Sequence, residues 1–191
     1  MAAPTVLFVP GLRDHVEDHW QTHAARALPG SRTVPPLAAD RLSLAARVAA
    51  LDEAIADIEG EVLLVAHSAG CLMVAQWAKE HAGRAGGKVV GAMLATPADV
   101  ETALPPGYPT VEQLALGGWL PIAREALSFP ALVIASRNDP LAAKTKVADL
   151  AGCWGARLLD AGNVGHLNPA SGYGPWPDAL RLIAALERET A

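Results

Sequence analysis

One stretch, Glu61-Val62-Leu63-Leu64-Val65-Ala66-His67-Ser68-Ala69-Gly70-Cys71-Leu72, limits what this chain can fold into more than any other. A short apolar run reads as a buried strand, and the helix-forming residues after Ser68 read as a helix that begins at once. Small residues two positions before and two after the serine, Ala66 and Gly70, suit a turn so tight that larger side chains would collide. Such a turn lifts the Ser68 hydroxyl above the edge of a sheet, within reach of a substrate carbonyl. The Ala69 amide then points to the same spot from the first helical turn, whose partial positive end favours a developing oxyanion. The competing reading is an ordinary strand-to-helix junction marked by a Ser-Gly pair, and partners elsewhere in the chain must decide between the two.

The rest of the chain repeats the same alternation. Thr5 to Val9 is a β-branched apolar run closed by Pro10-Gly11, as in a buried parallel strand that opens into a loop over Leu12 to Glu17. Asp18-His19-Trp20-Gln21 has the form of a capping box, with Asp18 as cap, and predicts a helix from His19 to about Leu28. A short strand is expected at Arg32 to Pro35. Leu44, Val48, Leu51, Ile55 and Ile58 recur at helical spacing before a stop at Gly60. After the Ser68 turn, a helix from Ala69 to about His81 is ended by the glycines of 83–87, and Val89 to Leu94 forms a further strand. Residues 96–130 hold six prolines and read as a short irregular lid or pocket wall, with helical pieces only near Val111 to Leu116. Strands at Ala131 to Ala135 and Arg157 to Asp160 flank a helix carrying Val147, Leu150 and Trp154, and a closing helix runs from Pro177 to Arg188.

Strand-helix alternation implies right-handed crossovers in a parallel sheet covered by helices on both faces, an α/β class chain. The 191 residues, 51% hydrophobic and 18% charged, suffice for one core, so a single domain over 1–191 is expected. A net charge of −5 without a Lys/Arg cluster argues against a nucleic-acid partner. The start lacks a basic region and no apolar run reaches membrane-spanning length, so a cytoplasmic protein without a membrane partner is expected. Cys71 and Cys153 read as small buried helix residues.

A serine needs a histidine to take its proton, and the histidine needs an acid to fix its tautomer. Ser68, Asp139 and His166 follow three different expected strands, in the order nucleophile, acid, base that α/β-hydrolases use. Asp160 is the rival acid, and Asp139 is preferred because Asn-Asp-Pro turns directly after an apolar strand. His15, His19 and His23 recur at four-residue spacing, but His-Val-Glu-Asp-His departs from the metalloprotease pattern, so no metal site is expected. Arg13, His15 and Trp20 are expected at the pocket mouth, His67 beside the serine, and Trp119 and Trp176 at an acyl pocket. Trp77 and Trp154 are assigned to the core.

Val9-Pro10-Gly11-Leu12, Asp18-His19-Trp20, Val65 to Cys71, Ala135 to Pro140, Gly165-His166-Leu167-Asn168 and Ser171 to Pro177 together resemble the small serine-hydrolase family related to retinoblastoma-binding protein 9 and the bacterial YdeN-type hydrolases. Ala66 stands where the general Gly-x-Ser-x-Gly pattern has its first glycine. The resemblance implies a minimal α/β-hydrolase fold, about six parallel strands in a three-layer α/β/α sandwich, with Ser68, Asp139 and His166 as triad. It also implies an oxyanion hole from the backbone N–H groups of Leu12 and Ala69. The expected activity is a carboxylesterase on small to medium acyl esters, needing no cofactor. Amidase, thioesterase and lactonase chemistry would use the same groups, and a protein-interaction module with little turnover is the alternative from another class.

Overall fold

The computed structural model describes residues 3–81 and 87–190. In chain order the elements are β1 (Thr5–Val9), α1 (Trp20–Ala27), β2 (Arg32–Thr33), α2 (Leu44–Ala56), β3 (Val62–His67), α3 (Ala69–Glu80) and β4 (Val89–Ala95). They continue as α4 (Val111–Leu116), β5 (Ala131–Ala135), α5 (Lys144–Cys153), β6 (Arg157–Asp160) and α6 (Pro177–Thr190). The six strands form one sheet in the order β2-β1-β3-β4-β5-β6, and every neighbouring pair is parallel.

Both faces of the sheet are covered, and the two-residue period of the strands sorts their side chains between them. Leu7, Val9, Leu64 and Ala66 pack with α2, α3 and α5, whereas Val6, Phe8, Leu63 and Val65 pack with α1 and α6. Helix α2 buries Leu44, Val48, Leu51 and Ile55 at helical spacing, and each such side chain contributes about 1.5–3 kcal/mol. Ser43 caps its start by accepting from the Ala46 amide. The chain leaves β1 toward β2 on one side and returns to β3 on the other. The carboxyl ends of β1 and β3 therefore flank a topological switch point, where ligands bind in open parallel sheets.

Several expectations are corrected. Helix α1 begins one residue later than predicted, and its cap is His19, whose Nδ1 accepts from the Gln21 amide at 3.1 Å. Asp18 instead bonds His23, and Gln21 reaches inward to the carbonyls of Val9 and Val65 rather than back to the cap. Cys153 is exposed, at the end of α5, while Cys71 is buried, and burial pushes its thiol pKa up. Residues 96–130 are less irregular in packing than in sequence: Val100, Leu114, Trp119, Ile122 and Phe129 join the core, and α4 carries a Thr110/Gln113 capping box. A 3-10 turn at Pro169–Ser171, capped by Asn168, follows the His166 loop. Most of the glycine-rich stop expected after α3, residues 83–86, lies outside the described residues. No helix among the described residues is long and apolar enough to cross a membrane.

Candidate active site

Ser68 stands between β3 and α3 with φ 57° and ψ −126°, a conformation that few non-glycine residues adopt. Its amide donates to the Ala95 carbonyl at 2.9 Å, so the turn is tied to the neighbouring strand β4. Gly70 lets α3 pass close to the end of β1: a Cβ there would lie 2.8 Å from the Pro10 carbonyl oxygen and closer still to that of Val9. Gly11, on the loop after β1, lies directly against the serine, where an added Cβ would come within 3.2 Å of the Ser68 Cβ.

The hydroxyl points at an imidazole. His166 Nε2 lies 2.9 Å from Ser68 Oγ, and His166 Nδ1 lies 2.9 Å from both carboxylate oxygens of Asp139. A carboxylate only accepts, so Nδ1 carries the proton and Nε2 is left as the acceptor of the serine O–H. Asp139 also accepts from the Leu141 amide at 2.8 Å, and both side chains of the pair are nearly dry, 3% and 1% exposed. Asp160 is elsewhere engaged: Lys144, the Gly162 amide and Arg137 bind it and hold its carboxyl well below the usual range.

The histidine loop is held from several sides. His166 donates its amide to Ser171 Oγ, and its carbonyl accepts from His67 Nε2 at 2.8 Å and from Thr96 Oγ1. Gly165 on one side and Leu167 on the other take positive φ, and the Gly165 amide is fixed by Asn138 Oδ1 at 2.7 Å. Asn138 thus links the turn that carries Asp139 to the turn that carries His166.

A family model described as serine hydrolase matches residues 6–185. The chain belongs to the serine hydrolase family. Among solved structures it is similar to the protein described as a YdeN-like hydrolase from Pectobacterium atrosepticum, at 27% identity and a TM-score of 0.79, over 98% of this chain and 92% of that one. The ydeN gene product of Bacillus subtilis shares the fold at 18% identity and a TM-score of 0.72, over 96% and 98% of the two chains. The carboxylesterase CesB of Bacillus subtilis does so at 14% identity and 0.63, over 96% and 83%. No curated protein matches the sequence. The six-stranded parallel sheet is that of a minimal α/β-hydrolase fold.

In this serine hydrolase a cavity of about 150 Å³ opens onto Ser68. Ala98, Val100, Leu104 and Leu141 give its lining an apolar part, and His19 and His67 line it too. Arg13 and His67 are among the residues that line the cavity, and the Arg13 guanidinium lies over the Tyr108 ring at 5.0 Å. His15 does not reach it: it lies in an adjoining cleft with Thr22 and Arg26 and bonds Glu17. The three tryptophans are displaced from their expected roles, since their large apolar surfaces are buried instead. Trp20 is fully buried and meets Trp176 edge-to-face at 5.0 Å on the α1/α6 side, and Trp119 is buried on the other side with its Nε1 donating to the Leu42 carbonyl.

His15, His19 and His23 turn to different partners, and among the described residues no group of three or more His, Cys, Asp or Glu side chains is placed to hold a metal. His19 and His67 pack at 4.5 Å, and His67 and His166 at 4.9 Å, so three imidazoles form a buried row. Burial, then the nearby His166, pushes the His19 pKa down to about 4, and the same causes depress His67. Both stay neutral at pH 7. Sequence reasoning missed Asp14, Arg47 and Tyr108; of these, Arg47 alone left a signal, a charge set on the apolar stripe of α2.

Proposed function

We propose that this serine hydrolase is a carboxylesterase acting on small to medium acyl esters through an acyl-enzyme at Ser68. The supporting observation is the continuous hydrogen-bond relay from Ser68 Oγ through His166 to Asp139, opening into a part-apolar cavity. Ser68 Oγ attacks the ester carbonyl as His166 Nε2 takes its proton. Asp139 keeps the imidazole in the required tautomer and stabilises the imidazolium. The Leu12 and Ala69 amides hold the oxyanion: Ala69 is the first residue of α3, where amides lack an intrahelical acceptor, and Leu12 follows Gly11 on the loop against Ser68. The tetrahedral intermediate collapses, His166 protonates the departing alcohol, and water repeats the sequence to release the acid. Every role is filled by the protein's own groups, so no cofactor is needed.

The cavity favours a short acyl chain laid against Val100, Leu104 and Leu141, and the carboxylesterase name of CesB, on the same fold, points the same way. We read 1–191 as one domain acting in the cytoplasm, with 96–130 as a short lid or pocket wall within it. The test is labelling by a fluorophosphonate together with hydrolysis of p-nitrophenyl esters of increasing acyl length. Both should occur in the wild type, be lost in Ser68→Ala, and favour the shorter chains. A folded wild type that is neither labelled nor active would leave an interaction module on a hydrolase fold. Turnover confined to amides, thioesters or lactones would move the substrate class while keeping Ser68.

A further inference from the structure

The loop after β1 has no regular structure, yet the Leu12 amide can serve an oxyanion only if the loop holds one shape. Asp14 closes it: its N–H donates to the Gly11 carbonyl at 3.0 Å, with Asp14 itself at φ 54°. A trans peptide is planar, so pinning the Gly11 carbonyl also fixes the Leu12 N–H, directed to the opposite side of the same plane. The following peptide is pinned as well, because Arg47 Nη2 donates to the Leu12 carbonyl at 3.2 Å. Arg47 comes from α2 and is only 3% exposed. Its Nη1 lies 2.8 Å from Asp14 Oδ1 and its Nε 2.7 Å from the Arg41 carbonyl. Arg41 Nη2 reaches the other Asp14 oxygen at 2.7 Å. A buried guanidinium is costly unless its donors are met, and here one carboxylate and two carbonyls meet them. One arginine therefore controls both peptides that flank Leu12, one directly and the other through Asp14.

We propose that Arg47, through Asp14, is the positioning residue for the Leu12 amide in the oxyanion hole; the inference rests on the reading of Ser68 and Leu12 given above. Arg47 sits behind the loop, in a small cleft with Pro35, Leu37 and Met73, and does not line the cavity at Ser68. Its contribution belongs to the transition state alone. In Arg47→Met, which keeps the stem and removes the fork, kcat for a p-nitrophenyl ester should fall about 100-fold with KM unchanged. The pH profile of kcat/KM should keep its shape. Affinity for a trifluoromethyl ketone, whose hemiketal oxygen occupies the hole, should fall by the same factor as kcat/KM, and Arg47→Lys should lie between the two. Asp14→Asn, which keeps the turn and weakens the pair, should show a smaller loss in the same parallel, and it carries the test alone if Arg47→Met does not fold. A folded variant with normal kcat, or a loss of kcat that leaves ketone affinity intact, overturns the proposal. A folded wild type that neither turns over esters nor reacts with a fluorophosphonate removes the Ser68 reading beneath it.

Discussion

The row of buried imidazoles predicts an acid sensitivity that one substitution can isolate. His19 Nδ1 accepts the Gln21 amide, so the neutral ring carries its proton on Nε2. Burial, then the nearby His166 and His23, lowers the His19 pKa to about 4 in the folded protein, against 6.5 for an unperturbed imidazole. Between these values the unfolded chain binds more protons than the folded one. The stabilisation is complete above pH 6.5 and is lost as pH falls. The loss amounts to about 2 kcal/mol at pH 5 and about 3 kcal/mol at pH 4. His67 adds to it in the same direction. In His19→Asn the amide oxygen can still cap α1 but does not titrate. Urea unfolding of the two proteins from pH 7.5 to pH 4.5 should give free energies that run parallel above pH 6.5 and converge below it, the wild type falling faster. Curves that stay parallel to pH 4.5 would refute the assignment of the lowered pKa to His19.

Asp139→Asn should lower kcat by about 10⁴-fold with the fold intact, since the tautomer of His166 is then wrong, whereas Asp160→Asn should leave turnover near normal; steady-state kinetics giving the reverse would transfer the acid role. Gly70→Ala should cost more than the about 1–3 kcal/mol of ordinary overpacking, because the methyl meets backbone oxygens that cannot rotate away, and an unchanged melting temperature would contradict the close approach of α3 to β1.

The sequence made the chemistry legible wherever one residue type dictates its own surroundings. Ser68 needs small neighbours and a strand-helix turn, His166 a glycine-hinged loop, and Asp139 a turn after an apolar strand, and each of these marks is local. The four central strands β1, β3, β4 and β5 are readable for a similar reason, since parallel strands buried on both faces are unbroken apolar runs, which the edge strands β2 and β6 are not. Trp119 and Trp176 lie in irregular segments near the active edge, which suggests a pocket role, and Trp20 lies near the start of α1, but all three are buried. Trp20 shares the buried face of α1 with Ala24, a pairing at helical spacing that points inward. His19 escaped as a cap because Asp18 has the stronger cap chemistry, and only the pull of Gln21 toward the carbonyls of Val9 and Val65 shows why the helix starts later. Arg47 meets Asp14 across 33 positions of sequence, and such a distant pair leaves no local trace beyond a charge at an apolar register.

Three apolar residues of the cavity lining, Ala98, Val100 and Leu104, come from one short run of chain after β4, while the reacting groups sit on the loops after β3, β5 and β6. Part of the size selection is thus carried by a stretch of polypeptide that holds none of the bond-breaking groups, although Leu141 shares the loop of Asp139. Trimming or enlarging the partly buried side chain at 104 would re-tune which acids the protein releases while leaving the atoms that release them in place, whereas Ala98 and Val100 are tied into the core.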